Sequence, residues 1–146
     1  MSKDINAVGV YVDDPLYEIE TAIRMGAIDI VQLHGSETPE FCSCIDVPVI
    51  KMLKTSDFDK VSQYEPYVDY FLFDSGTGTG KTFDWSSIPK TQKPFFLAGG
   101  LNKVNLSQAI NTVKPFAVDM SSGVETNGSK DYNKIKQIID IVRSTR

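Results

Sequence analysis

Short apolar runs alternate with amphipathic stretches along the whole chain. The apolar runs have the length and the β-branched and aromatic content of buried strands. We predict strands at these runs, which cover residues 5–12, 28–33, 48–53, 68–73, 94–98 and 116–120. Because strands that alternate with helices form parallel βαβ units, the pattern predicts an α/β protein.

The stretches between the predicted strands carry helical periodicity and helix-end signals. Asp14 is predicted to cap the first helix and Gly26 to end it. Further helices are predicted to begin near Thr38 and to cover residues 58–64, 104–110 and 132–143. Asn102 and Asp131 stand where they would cap the last two of these helices.

Polar residues decide between two architectures, an open doubly wound sheet and a (βα)8 barrel. They fall just after successive strands, at Asp13, His34, Asp74, Gly99-Gly100 and Ser121-Ser122. In a barrel these positions converge on the mouth, whereas an open sheet gathers ligand groups at one switch point. We therefore predict a TIM-barrel type fold.

That barrel is expected to be incomplete, with about six βα units and parallel strands. A closed barrel needs eight strands and about 200 residues or more, and this chain has 146. No linker or low-complexity tract divides the sequence. Residues 1–146 are therefore predicted to be a single partial-barrel domain.

Composition narrows the classes of function. A net charge of −4 without a lysine or arginine block argues against nucleic-acid binding. No apolar run approaches the roughly 18 residues of a membrane span, and the first residues lack a signal-peptide layout. Cys42 and Cys44 are too close for an ordinary disulfide and have no second pair for zinc. We expect a cytoplasmic protein without a metal, a membrane or a nucleic-acid partner.

The segment FLFDSGTGTGKTFDW, residues 71–85, joins a strand end to a loop rich in glycine and threonine. Its Gly80-Lys81-Thr82 resembles the end of an ATP-binding P-loop. That motif requires glycine five residues earlier, where Ser75 stands, and Pro89 follows before a long helix could form. We interpret the loop as a flexible lid.

Asp74 and His34 each end a predicted strand at the presumed mouth. Asp74 is interpreted either as a cap or turn residue, or as a general acid that is partly desolvated. A lone histidine such as His34 more often packs or forms hydrogen bonds than catalyses. Cys42 and Cys44 lack a nearby histidine and are interpreted as packing or surface residues.

Two turns rich in glycine and serine follow the last two strands. Gly99-Gly100 follows FFLA, and Ser121-Ser122-Gly123 follows AVDM. Backbone amides in such turns bind phosphate, and barrels often hold a phosphate after strands seven and eight. Each motif alone could be a simple tight turn. Together they predict a site for a small sugar phosphate.

These motifs together resemble the phosphoribosylanthranilate isomerase family of tryptophan biosynthesis. The resemblance runs in order through AVGVYV, DIVQLHG, VIKML, FLFDSGTGTGKTFDW, FLAGGLNKVN and VDMSSGVETNGSKD. It implies a (βα)8 barrel that performs an Amadori rearrangement of an aminoaldose phosphate without a cofactor or a metal. It also implies that Asp74 is the general acid. The implied substrate-binding residues are Gly99, Gly100, Ser121, Ser122 and Gly123 for the phosphate, with Asp119 and His34 lining the pocket.

The sequence departs from the family pattern at its beginning. Family members begin with a Lys-x-Cys-Gly strand whose cysteine is the general base, and their second unit brings an arginine for the anthranilate carboxylate. This chain resembles units three to eight, so both groups are expected to be absent. The resemblance leaves three explanations open: a shortened form, a piece that pairs with another fragment, or a degenerate relative. Apolar open edges near Ile5 and Phe116 predict a homo-oligomer or pairing with an N-terminal fragment.

Two other functions stay open. A non-catalytic sugar-phosphate-binding or assembly module could derive from the same barrel and keep its phosphate site. Another sugar-phosphate barrel enzyme, such as an epimerase, would require metal ligands or a second acid–base residue, and the single histidine speaks against a metal site.

Overall fold

Six parallel strands form one sheet in which the order in space follows the order in the sequence. The computed structural model describes residues 5–74 and 82–145. The strands are β1 (Val8–Tyr11), β2 (Ile30–Leu33), β3 (Val49–Lys54), β4 (Tyr70–Asp74), β5 (Phe95–Leu97) and β6 (Ala117–Val118). An open doubly wound sheet would reverse its order at a switch point. The consecutive order confirms the predicted barrel-type sheet, which curls as a partial barrel.

Helices connect the strands as predicted, with bounds shifted by a few residues. They are α1 (Leu16–Arg24), α2 (Pro39–Cys42), α3 (Val61–Tyr64), α4 (Leu106–Val113) and α5 (Tyr132–Thr145). Short 3-10 helices lie at Thr55–Lys60, Glu65–Tyr67, Trp85–Ser87 and Ser122–Val124. The helix predicted over residues 58–64 is therefore partly 3-10 and partly α3. Each helix in the described part of the chain is too short or too polar to cross a membrane.

Two of the predicted helix starts are confirmed by side-chain caps. The Thr38 hydroxyl accepts a hydrogen bond from the Phe41 amide at 3.3 Å. The Asp131 carboxylate accepts from the amides of Asn133 at 2.9 Å and Lys134 at 3.2 Å. These oxygens satisfy amides that have no partner inside their own helix.

Two other predicted caps are wrong. Helix α1 begins after Pro15, and no side chain caps it. The Asp14 carboxylate accepts instead from the Val12 amide at 2.8 Å, two residues before it. The Asn102 side chain accepts from the Val104 amide at 2.8 Å, ahead of α4. Both residues therefore build local turns, a competing use of short polar side chains.

A hairpin that sequence analysis missed lies between β6 and α5. Its strands are β7 (Glu125–Thr126) and β8 (Ser129–Lys130), and they pair antiparallel. The connecting Asn127 and Gly128 have φ of 52° and 78°, which a two-residue type I′ turn requires. The Asn-Gly pair was the signal for this hairpin. The register places Lys130 opposite Glu125.

Apolar side chains cover both faces of the six-stranded sheet. The side chains that face α1, α2 and α3 form the largest core cluster, which includes Ile19, Val31, Leu33, Phe71 and Phe73. A second cluster packs α4 and α5 against β5 and includes Leu97, Leu106, Ala109 and Ile138. A third cluster lies on the face of the sheet opposite the helices, which we call the inner face. It consists of Ile50, Met52, Leu72 and Ala98. Burial on both faces agrees with a parallel sheet of barrel type.

Candidate active site

Strand register brings Asp74 to the inner rim of the sheet. Alternate residues of a strand point to opposite faces, and Met52 and Leu72, paired in register, both belong to the inner cluster. Asp74 lies two residues after Leu72, so it shares the inner face at the C-terminal end of β4. Lys54 is its register partner on β3. A carboxylate and a lysine thus occupy neighbouring positions at the mouth.

Asp119 lies at the same rim, directly after β6. Desolvation by the surrounding protein raises the pKa of its carboxyl, although the side chain stays open to solvent on one side. His34 and Lys130 oppose that rise in pKa, and the negative charge of Asp74 adds to it. Because the charges of His34 and Asp74 both act on Asp119, these three predicted site residues share one mouth.

His34 follows β2 and is held by its neighbour Gln32. The Gln32 amide nitrogen lies 3.0 Å from His34 Nδ1. This contact joins the Gln32 amide to one ring nitrogen of His34 and fixes the orientation of the ring. His34 is therefore an oriented, half-buried side chain at the rim, and both the hydrogen-bonding and the pocket-lining interpretations apply to it.

A buried ion pair lies beneath this part of the mouth, on the helix-facing side of β3. Lys51 Nζ is 2.7 Å from Glu37 Oε2, and the two side chains are 1% and 2% exposed. The ammonium also donates to the Gly35 carbonyl at 2.7 Å and lies 5.6 Å from the centre of the Tyr64 ring. Buried charges persist only where such partners satisfy them.

Glu37 connects the loops that follow β1 and β2. Its carboxylate accepts from the amides of Asp13 at 2.9 Å and Gly35 at 3.0 Å. Asp13, with φ of 58°, in turn accepts from the Ser36 amide at 2.7 Å. The predicted mouth residue Asp13 therefore ties two loops together, and hydrogen bonds from Ser36 lower its pKa.

The two glycine- and serine-rich turns lie against each other. Gly99 and Gly100 have φ of 84° and 67°, a conformation that glycine adopts without a steric penalty. A Cβ added at Gly123 would lie 2.1 Å from the Leu101 carbonyl oxygen. The turn after β6 therefore packs directly on the loop after β5. The Asn105 amide donates to the Gly100 carbonyl at 3.0 Å and fixes that loop.

The two cysteines lie away from the mouth. Cys42 is buried among the helix-facing core residues, and desolvation raises its pKa to about 11. Cys44 is exposed just after α2, with its sulfur 3.4 Å from the Glu40 carbonyl oxygen. Their positions agree with the predicted packing and surface roles. In the described part of the chain, no group of three or more His, Cys, Asp or Glu residues is placed to hold a metal ion.

A cavity of about 330 Å³ opens above the C-terminal ends of β1, β2 and β3. Its polar lining includes Asp13, His34, Ser36, Lys54, Asp57 and Lys60. It lies on the opposite side of Asp74 from the two glycine-rich turns. The predicted lid, residues 75–81, falls outside the described residues.

Residues 2–141 match the protein family described as N-(5'phosphoribosyl)anthranilate (PRA) isomerase. The chain belongs to the PRA isomerase family. A relative from Streptococcus gordonii, named N-(5'-phosphoribosyl)anthranilate isomerase, is 45% identical over 143 residues, which are 95% of this chain and 72% of the relative.

Solved structures of PRA isomerases have the same fold. One is described as mutually generated monomers of the dimeric enzyme from Thermotoga maritima, at 34% identity and a TM-score of 0.80 over 96% of this chain and 73% of that one. Another is in complex with reduced 1-(o-carboxyphenylamino)-1-deoxyribulose 5-phosphate, rCdRP. It is 33% identical, with a TM-score of 0.80 over 99% of this chain and 74% of that one.

Membership in the PRA isomerase family confirms the resemblance and the enzyme class predicted from the sequence. The family consists of isomerases of tryptophan biosynthesis with TIM-barrel type folds. The roles of individual residues stay predictions.

Sequence analysis missed four charged residues near the candidate site. They are Glu37, Lys51, Lys54 and Lys130. The predicted third strand ends at residue 53. One residue more would have placed Lys54 on the same face as Met52, at the mouth. Lys51 stood inside an apolar run, and a charge there is a signal of a buried partner. The Asn-Gly turn would have pointed to Lys130.

Proposed function

We propose that this chain supplies the general acid and the phosphate-binding residues of an enzyme that converts N-(5-phosphoribosyl)anthranilate to the aminodeoxyribulose phosphate. The observation that carries the proposal is the position of Asp74. It lies on the inner rim between the two glycine-rich turns and the cavity above β1, β2 and β3. A substrate with its phosphate at the turns would bring its ribose to Asp74. Asp74 then acts as the general acid that protonates the ring oxygen.

The phosphate is assigned to the paired turns. Gly99 and Gly100 form one side, and Ser121, Ser122 and Gly123 form the other. The close packing of Gly123 on Leu101 supports this assignment, since it joins the two turns into one surface of backbone groups. Backbone amides in such turns suit a phosphate dianion.

His34 and Asp119 are assigned to the pocket wall. With Nδ1 next to the Gln32 amide, Nε2 of His34 is the ring atom that can form a hydrogen bond to the substrate. Asp119 follows β6 at the same rim, and desolvation raises the pKa of its carboxyl, so we assign it a hydrogen bond to the sugar. The cavity beyond them leaves space for the anthranilate ring, with Lys54 at its edge.

We propose further that the general base does not come from this chain. A Lys-x-Cys-Gly sequence does not occur in it. Cys42 is buried on the helix-facing side with a raised pKa, and a thiol that stays protonated cannot remove the C2 proton. We therefore assign the base to a part of the enzyme outside residues 1–146, which we propose form one domain equivalent to units three to eight.

The test uses the purified chain with rCdRP and with phosphoribosylanthranilate. We expect the chain to bind rCdRP but to turn over the substrate about 10²–10⁴-fold more slowly than a full family member, the amount that a positioned base contributes. Asp74→Asn should keep rCdRP binding and lose the remaining turnover.

Binding without any Asp74-dependent turnover would favour the alternative, a non-catalytic sugar-phosphate-binding module. A chain that does not bind rCdRP would contradict both functions. Full turnover that survives in Asp74→Asn would contradict the role of Asp74.

We propose that the chain assembles with a second polypeptide in the cytoplasm, either another copy or an N-terminal fragment. Within the described residues β1 and β6 each pair with a single strand. Val8 and Val10 in β1 are 42% and 57% exposed, Val12 directly after it is 60% exposed, and Phe116 beside β6 is 54% exposed. Exposed apolar strand edges promote strand pairing between chains.

Light scattering should therefore give the purified chain a mass above 16.2 kDa at low micromolar concentration. Val10→Lys places a charge on the exposed edge and should shift the chain toward the monomer. Glu20→Lys, on the exposed surface of α1, is the control and should leave the mass unchanged. A monomeric parent chain would contradict the proposed assembly.

A further inference from the structure

Lys130 is a hydrogen-bonded cation beside the turn after β6. Its ammonium donates to the Ser121 carbonyl at 3.1 Å and to Ser121 Oγ at 3.0 Å. It also lies 2.6 Å from Glu125 Oε1. The Ser121 hydroxyl donates to the same carboxylate oxygen at 3.3 Å. One ammonium thus closes a ring of contacts around the first residue of the turn.

The hairpin β7–β8 fixes where this ammonium stands. Its register places Lys130 across from Glu125. The Asp131 amide donates to the Val124 carbonyl at 2.8 Å, and the Lys134 ammonium donates to the Glu125 carbonyl. One backbone contact and one side-chain contact therefore anchor the hairpin at its base. The hairpin and α5 set the backbone position of Lys130, and its ammonium contacts Ser121 and Glu125 although the side chain is 52% exposed.

The charge of Lys130 reaches the mouth of the barrel. It acts on the Asp119 carboxyl, where it opposes the effect of desolvation. The same ammonium contacts the carbonyl that immediately precedes the Ser122 amide. Lys130 therefore contacts the turn to which the phosphate is assigned and acts electrostatically on a neighbouring residue of the mouth.

We propose that Lys130 is a positioning residue for the phosphate group of the substrate, an inference that rests on the proposed function. It holds the Ser121 carbonyl so that the amides of Ser122 and Gly123 face the phosphate. It also places a positive charge beside a dianion. Glu125 holds the ammonium in place. An exposed ion pair such as Lys130 and Glu125 contributes little to folding stability.

The test compares Lys130→Met and Lys130→Arg with the parent chain. Lys136→Met, an exposed residue of α5 with the same change in charge, is the matched control. Calorimetry measures the affinity for rCdRP and for inorganic phosphate at two salt concentrations. Amide hydrogen exchange of residues 122–124 reports on the turn without any ligand.

We expect Lys130→Met to lower the affinity for rCdRP and for inorganic phosphate about tenfold, the effect of losing one charge-assisted hydrogen bond. Its affinity should also depend less on salt, since one cation fewer acts on the phosphate. Residues 122–124 should exchange faster. Lys130→Arg should recover most of the affinity because it keeps the charge, and Lys136→Met should match the parent.

The outcomes separate this inference from the proposed function. Parent-like affinity in Lys130→Met overturns the role of Lys130 and leaves the function standing. Phosphate binding that depends on Lys130, with rCdRP bound no more tightly than phosphate, supports Lys130 and contradicts the isomerase site. A parent chain that binds neither ligand overturns both.

Discussion

Replacing Lys51 with methionine is expected to lower the free energy of unfolding by about 3–5 kcal/mol, the cost of leaving a buried charge without its partner. Glu37 would keep its carboxylate in a site that is 2% exposed, and the Gly35 carbonyl would lose its donor. Methionine fills a volume close to that of lysine, so little of the loss comes from a cavity. Urea unfolding followed by circular dichroism measures the change.

The control for Lys51→Met is Lys60→Met at an exposed ion pair. Lys60 lies 2.6 Å from Asp57, a separation close to that of the buried pair, but the two side chains are 48% and 30% exposed. Water and salt screen such a pair, so the control should change stability little. Equal effects of the two substitutions would contradict the argument, because they would show that burial does not set the cost.

A second variant separates the ion pair from the other hydrogen bonds of Glu37. Lys51→Met combined with Glu37→Gln removes both charges. The side-chain amide oxygen at position 37 can still accept hydrogen bonds from the backbone amides of Asp13 and Gly35. The double variant should recover part of the stability lost in Lys51→Met. If it is less stable than Lys51→Met, the carboxylate charge is itself stabilised by the loop amides.

Sequence patterns predicted the parts of the fold that are set by residues close to each other in the chain. Apolar runs bounded by turn residues gave the six strands, and their consecutive order followed once the polar strand ends were placed at one mouth. The sheet register places Asp74 on the inner rim at the end of β4, and its role as a site residue stays a prediction. These features follow from strand alternation and from the parallel βαβ connection, which act over short distances in the sequence.

Pairings between distant residues could not be predicted in this way. Lys51 in β3 and Glu37 in the loop after β2 are separated by 14 residues, so no sequence period connects them. The wrong Asp14 cap has the same origin, because several backbone amides compete for a short carboxylate and only the folded turn decides between them. Lys130 reaches Ser121 through a hairpin, and its role becomes visible only when that hairpin is in place.

Gly123→Ala is expected to weaken the binding of rCdRP on the order of 10²-fold, the loss of one or two charge-assisted hydrogen bonds from the turn amides to the phosphate. The added Cβ would lie 2.1 Å from the Leu101 carbonyl oxygen. That neighbour is backbone, so it cannot rotate away, and the turns after β5 and β6 must separate. The amides assigned to the phosphate would then no longer face one point. Calorimetric titration with rCdRP measures the loss.

Gly26→Ala is the matched control for this substitution. Gly26 has φ of 64° and nothing within 4 Å of an added Cβ, so alanine there strains the backbone at the end of α1 without touching the mouth. It should lower the thermal unfolding midpoint and leave rCdRP affinity unchanged. Gly123→Ala should lower the unfolding midpoint as well as the rCdRP affinity. The midpoint falls because overpacking against the backbone costs about 1–3 kcal/mol of stability. Parent-like affinity in a folded Gly123→Ala chain would show that the contact between the two turns does not shape the phosphate site.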